Sequence, residues 1–171
     1  IMQLTSNRRQ NYEHCRYQLG AAMGEVLAIS PEHGTRALIE ALIGAVAIRS
    51  RGGNFAAELI DIGSSTLELR GLFTEFRAWD QQESHPAKED LLHHYVRFLR
   101  ECNVATFRLS VTAASRDYAT ASVWTRIFGV GSERISELGD LLWPLIERPD
   151  FLENRFTSRA AAQFLNAAWT S

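Results

Sequence analysis

Residues Arg36–Ile60 read RALIEALIGAVAIRSRGGNFAAELI, and the rest of the chain can be organised around them. Leu38, Ile39, Leu42, Ile43, Val46 and Ala47 recur at helical spacing. Ala41, Gly44 and Ala45 are small, so a second helix can pack closely on this face. Gly52-Gly53 then breaks the pattern, and Asn54 is a suitable N-cap for a restart near Phe55. The spacing predicts helices over 35–49, 54–62 and 64–80. Glu40 stands inside the apolar run. Burying a carboxylate is costly unless it is paired or bound to a cation. Glu40 is therefore read as a helix-edge acid paired with an arginine such as Arg16 or Arg36, in preference to a remnant of a metal site.

Toward the N-terminus, residues 1–10 are a polar lead-in, and Asn11–Ile29 fits a helix with Tyr12, Leu19, Met23, Val26 and Leu27 on one stripe. Gly20 and Gly24 suit a close crossing. Ser30-Pro31-Glu32-His33-Gly34 reads as a break, because proline disfavours helix at the residue before it. Toward the C-terminus, Leu67, Leu72, Phe73, Phe76 and Trp79 are assigned to the core, and residues 81–86 are a polar linker ending in Pro86. An amphipathic helix is expected over 87–101, with Leu91, Leu92, Tyr95, Phe98 and Leu99 on one face. Apolar–polar alternation predicts strands over 106–112, 121–130 and 133–139. Leu141–Phe151 holds two prolines and reads as an insertion or packed loop. The chain closes with an Ala-rich helix over 153–169, burying Phe156, Ala160, Ala161, Phe164, Leu165 and Ala168.

The composition, 46% hydrophobic and 22% charged over 171 residues, suits one domain or two small ones. A net charge of −2 argues against a protein that holds nucleic acid by charge alone. The cations are arginines apart from Lys88, and arginine favours planar, bidentate contacts with phosphate or carboxylate. Cys15 and Cys102 are far apart and show no metal-ligand spacing, so they read as reduced thiols. No apolar run is long enough to span a bilayer, and no membrane partner is expected. Ile1 ahead of Met2 fits a processed or partly observed chain.

Glu40-Ala41-Leu42-Ile43-Gly44-Ala45, followed by Ala56–Ile60, resembles the A-D-x-x-E-A-L-I-G-A helix and its sequel in ribonuclease III domains. In active members two acids of this helix and two of an earlier one bind magnesium. Carried over, those positions are Tyr17, Ala21, Ala37 and Glu40, so three of the four carboxylates are absent. A hard divalent cation needs several oxygen ligands. The resemblance thus implies the fold without the chemistry: no catalytic residues, no metal and no cofactor. Only a short connection joins the two helices, where active members have several dozen residues.

Helix, three strands and helix is also the order of a double-stranded RNA-binding domain. Arg159-Ala160-Ala161-Ala162-Gln163-Phe164-Leu165 resembles its closing helix. The fold expected from both resemblances is α+β: a degenerate all-α ribonuclease III-like domain over 1–80 and an α-β-β-β-α RNA-binding-like domain over 87–171. Such domains grip duplex RNA by shape. The positions carried over for contact are His93 and His94 on the first helix, Arg116 and Tyr118 in the first strand loop, and Arg155 and Arg159 at the last helix. The lysine cluster of that family is missing here. Arg126 and Arg134 are further candidates for the same surface, with Asp117, Glu133, Glu137 and Glu153 weakening its field.

The two-domain order resembles ribonuclease III-type proteins of the mitochondrial ribosome's large subunit. It implies a non-catalytic structural component in the mitochondrial matrix, contacting rRNA and ribosomal proteins, with another ribonuclease III-like subunit as a candidate partner. The alternatives are a degenerate subunit of an RNA-processing or RNA-editing complex, and an active magnesium-dependent nuclease with acids in an unread segment. Asp90, His93 and His94 share a D-x-x-H spacing that lacks a second copy, so a solvated helix face is the better reading. No serine sits in a nucleophile elbow, and Gly129-Val130-Gly131 reads as a turn between strands. Trp79, Trp124, Trp143 and Trp169 read as core or interface anchors.

Overall fold

A computed structural model describes residues 7–49, 56–63, 65–71 and 91–171. Helix α1 (Asn7–Ile29) and helix α2 (Pro31–Arg49) form a hairpin joined at Ser30. Strands β1 (Ala56–Asp61) and β2 (Thr66–Gly71) follow. Then come α3 (Leu91–Glu101), α4 (Val104–Ala114), β3 (Tyr118–Thr120), α5 (Ala121–Glu133), α6 (Ile135–Ile146), α7 (Asp150–Glu153) and α8 (Ser158–Thr170). Among the described residues the fold is mostly helical with one small three-stranded sheet, which is α+β in the general sense.

The sheet order is β1-β2-β3. β1 and β2 are an antiparallel hairpin with Ile60 opposite Leu67, and β3 pairs parallel to β2 with Ala119 opposite Leu69. Ile60, Leu67, Leu69 and Ala119 are buried on the inner face. Gly63 makes the hairpin turn at φ +90°, a conformation that glycine adopts at least cost. Asp61 accepts the Gly63 N–H at 2.7 Å and the Arg148 guanidinium at 2.6 Å, which ties the turn to the region after α6.

One hydrophobic core joins residues from both sides of the expected linker. Met23, Leu27, Leu38 and Leu42 of the hairpin belong to the same cluster as Trp124, Phe128, Phe151 and Phe164. Those four aromatic rings pack with centroids 4.7–6.1 Å apart, in tilted or edge-on arrangements that aromatic quadrupoles favour. Where α2, α3 and α4 meet, the buried Thr35 hydroxyl donates to Ser110 at 3.1 Å. Tyr95 is fully buried beside them; its hydroxyl approaches both without completing a well-aligned bond, and burial pushes the phenol far above its usual range.

Several expected elements change type. The segment expected as a helix over 54–62 carries strand β1, and the one over 64–80 carries β2. Its residues 72–80 lie outside the described residues, as do the linker at 81–86 and Trp79. Alternating burial over 57–61 and 66–70, on either side of a glycine turn, favours a hairpin over a helical turn. In the C-terminal half the reverse holds: all three expected strands are helices, α4, α5 and α6. Phe107, Ser110, Val111 and Ala114 are buried together at helical spacing, and Asn103 caps α4 by accepting the Thr106 N–H at 2.9 Å. Val123, Trp124, Ile127, Phe128 and Gly131 do the same in α5. The α-β-β-β-α order is therefore not formed, and Gly129-Val130-Gly131 lies within a helix instead of a turn. Leu141–Phe151 spans the end of α6 and the start of α7. The expected break at 30–34 shrinks to Ser30, because Pro31 occupies the first helical position, where a missing N–H costs nothing. Gly24 makes no close crossing; the tight approach in the hairpin is at Gly34, whose backbone passes against Leu27.

The two glycines of α5 differ in kind. A Cβ on Gly131 would lie 2.4 Å from Leu142 Cδ1 and 3.2 Å from Phe164, so glycine there lets α5, α6 and α8 converge. A Cβ on Gly129 would meet nothing within 4 Å. Gly129→Ala is expected to stabilise the protein by about 0.5–1 kcal/mol through helix propensity. Gly131→Ala is expected to destabilise it by about 1–3 kcal/mol through overpacking. Urea denaturation of the two variants checks the opposite signs.

Candidate functional site

Helices α3, α5 and α8 enclose an open groove of about 380 Å3. Its floor is apolar, with Val96 from α3, Val130 from α5 and Ala160 from α8. Three arginines reach its lining, one from each helix: Arg100, Arg126 and Arg159. Phe156, just before α8, closes one side, and Thr125 and Gln163 add neutral polar groups. Gly129 lies on the same face of α5 as Arg126, and its bare backbone keeps the middle of the groove open. Glu133 is seven residues from Arg126, two turns along α5, and lines the same groove.

Helix geometry and capping set these side chains. Arg134, at the junction of α5 and α6, donates from Nη1 to the Leu99 and Cys102 carbonyls at 2.8 Å each. It thereby caps the electronegative C-terminus of α3. Arg100, in the last turn of α3, forms a two-pronged bond to Glu133, with Nε to Oε2 at 2.7 Å and Nη2 to Oε1 at 2.6 Å. Hydrogen bonding to Arg100 holds the Glu133 carboxyl below its ordinary range and raises the Arg100 guanidinium above its own. Asn154 orders the approach to α8. Its Oδ1 accepts the N–H groups of Phe156 and Thr157 at 2.9 and 3.2 Å, and its Nδ2 donates to Glu58 at 2.5 Å.

The positions carried over from the family resemblances scatter. Arg159 lines the groove, and Arg155 lies beside it, with its guanidinium 4.6 Å from the Phe156 ring and its Nε 3.3 Å from Glu58. His94 lines a separate cavity with Gly24, Arg97 and Cys102, while the adjacent His93 is exposed. Arg116 forms an ion pair with Glu32. Tyr118 donates its hydroxyl to Glu40, which also pairs with Arg36 at 3.3 Å, as expected of a helix-edge acid. Glu40 pushes the Tyr118 phenol above its usual range. Tyr17 and Ala21 lie on α1, and Ala37 lies with Glu40 on α2. Arg100 and Phe156 were not singled out as site residues. The reading of Arg126 and Glu133 as members of strand-like segments hid the helical spacing that puts them on one face.

Comparison with protein-family models, curated proteins and solved structures returned no match.

Because the folded-state pKa of Glu133 is depressed, its contribution to stability is present above its unfolded value of about 4.3 and is lost as pH falls through the lower, folded value. The Arg100 and Glu133 side chains are 54% and 49% exposed, so solvent screening limits the pair to about 1 kcal/mol or less. Glu133→Gln is expected to be less stable than the native chain at neutral pH, with the gap closing in acid. Denaturation across that range checks this, and a gap unchanged in strong acid contradicts it.

Proposed function

We propose that this chain is a non-catalytic RNA-binding protein that holds a single-stranded segment by its phosphates in the groove between α3, α5 and α8. The observation that supports this reading is the meeting of Arg100, Arg126 and Arg159, from three separate helices, around one open cavity. Guanidinium groups match phosphate oxygens in planar pairs. An apolar floor and the Phe156 edge suit a sugar or base between phosphates. Glu133 is a poor candidate for general acid–base work, because Arg100 holds it ionised and far from the near-neutral pKa that such work favours. Glu40 is engaged by Arg36 and Tyr118.

A place in the mitochondrial ribosome came with the resemblance to two known domains, whose expected strands and second helix the described residues do not form. What the groove supports is phosphate recognition, and co-sedimentation with ribosomal subunits remains the test of that assembly. The overall charge of −2 points to short-range contact at the groove in place of a broad basic field.

The experiment is fluorescence anisotropy with a labelled single-stranded RNA. Two or three phosphate contacts give a log K against log salt slope of about −1.4 to −2.1. Arg126→Glu together with Arg159→Glu is expected to weaken binding about tenfold or more, while the paired Arg116→Glu leaves it unchanged. Absence of binding at low salt, or binding indifferent to the double change, would refute the proposal.

A further inference from the structure

Among the described residues β1 has a neighbouring strand on one side only. Three bonds show where its backbone groups point. Ile62, just past β1, donates its N–H toward β2, to the Ser65 carbonyl at 3.1 Å. Asp61 turns its N–H the other way, to the Asp150 carboxylate at 3.1 Å. Glu68, which stands opposite Leu59, sends its N–H away from β1, to the Asp117 carbonyl at 2.9 Å. Backbone groups alternate in direction along an antiparallel pair. Ala57 and Leu59 therefore present their N–H and C=O groups along the outer edge of β1, in line with the N–H of Asp61.

Natural sheets protect such an edge with lysine, proline or a bulge. β1 reads Ala-Ala-Glu-Leu-Ile-Asp and pairs in an unbroken register, so it has none of these. Its Leu59 side chain is 74% exposed on the outer face. A shelf of about 170 Å3 runs beside the edge, lined by Glu58, Leu59 and Ile60 of β1 and by Asp150, Glu153 and Asn154. Three of these side chains are carboxylates and none is a cation. Arg155 pairs with Glu58 at 3.3 Å, whereas Asp150 and Glu153 form no ion pair among the described residues.

We propose that the outer edge of β1 is a docking site for an extended basic segment of a partner protein, which adds a strand to the sheet by pairing with Ala57 and Leu59. In this mode main-chain hydrogen bonds supply affinity and alternate side chains supply specificity. Side chains on one face of the added strand meet the carboxylates of the shelf, where lysine or arginine is complementary. Those on the other face lie beside Leu59, where an apolar residue fits. Charge selects against a second copy of this chain as the occupant. Pairing β1 with itself brings Glu58, Asp61, Asp150 and Glu153 of two molecules together, and like charges on facing strands repel. The site is separate from the groove between α3, α5 and α8 and does not rest on the reading given to that groove.

The test uses a short labelled peptide in which lysine alternates with valine, followed by anisotropy and by amide hydrogen exchange of the native chain. The peptide is expected to bind at low salt, and a counterpart with glutamate in place of lysine to bind about tenfold more weakly or worse. The Ala57 and Leu59 amides are expected to exchange freely in the chain alone and about tenfold more slowly in the complex. Glu153→Lys, at an exposed position, is expected to weaken the lysine peptide about fivefold, with the difference shrinking as salt is added. Failure of the lysine peptide to bind, or equal binding of the two peptides, overturns the proposal. Binding that leaves Ala57 and Leu59 exchange unchanged also overturns it, since attraction by charge alone does not use the edge. Slow exchange of these amides in the chain alone refutes it by showing the edge already taken. Protection that rises with protein concentration then identifies a second copy, and protection independent of concentration another segment of the chain. The peptide comparison and the exchange rates need no substitution, so a misfolded variant would not shelter the idea.

Discussion

The convergence of α5, α6 and α8 at Gly131 is the constraint from which the rest of the structure follows. The absence of a side chain there lets Leu142 and Phe164 come within the space that a Cβ would claim. That approach brings Phe164 onto Phe128, and Phe128 in turn packs on Trp124 and Phe151, so this aromatic cluster depends on one missing methyl group. Close-packed interiors transmit such a local fit over several side chains. The groove is the other face of the same helix. Where α5 and α8 meet at Gly131 they touch; around Gly129, on the side toward α3, they leave open space that arginines line. Packing and recognition are therefore set by two glycines two residues apart, one needed for contact and the other leaving a gap.

The legible part of the sequence was the part in which one periodicity stood alone. The α1–α2 hairpin, the amphipathic face of α3 and the closing helix were all readable, since their apolar residues recur at three and four. Leu91, Leu92, Tyr95 and Leu99 are buried as expected. The failures share a cause. VATFRLSVTAA alternates over seven residues, 106–112, and also places Phe107, Ser110, Val111 and Ala114 on a helical face. β-Branched residues tip an eye toward strand, but the capping bond from Asn103 and burial against α2 decide for helix. In the opposite direction, AAELID reads as helix by propensity and becomes a strand because β2 is there to pair with it. A local five-residue match, Ala56–Ile60, to a helix of a known domain could not carry that pairing. The site was legible only as a list of arginines; which of them meet depended on α5 being a helix.

Charge follows the same logic. Of the arginines first considered for one surface, Arg116 is spent on Glu32, and Arg134 caps α3 while pairing with Glu137 at 2.5 Å. Arg155 is shared between Glu58 and the Phe156 ring. These contacts hold elements together and cannot also form an extended basic field. Arg126 and Arg159 line the groove together with Arg100, and Glu133 is turned toward Arg100.

The position of α5 itself is fixed from the far end. β3 runs directly into α5, with Thr120 followed by Ala121, so whatever holds β3 also aims the helix. That hold is built on Tyr118. Its hydroxyl is given to Glu40, and its carbonyl accepts Arg36 Nη1 at 2.8 Å. The guanidinium groups of Arg36 and Arg70 lie 4.6 and 4.5 Å from its ring. One residue is thereby fastened to α2 by main chain, ring and hydroxyl at once, while parallel pairing fastens its neighbours to β2. Cation–ring contacts at a partly exposed site are worth about 0.5–1 kcal/mol each. Their sum with the hydrogen bonds is comparable to a small hydrophobic contact, yet they act at the short strand that must bear the load of orienting a thirteen-residue helix. Glu40, read from the sequence as a helix-edge acid paired with an arginine, thus has a further structural use: through Tyr118 it helps set the angle at which Arg126 and Glu133 enter the groove.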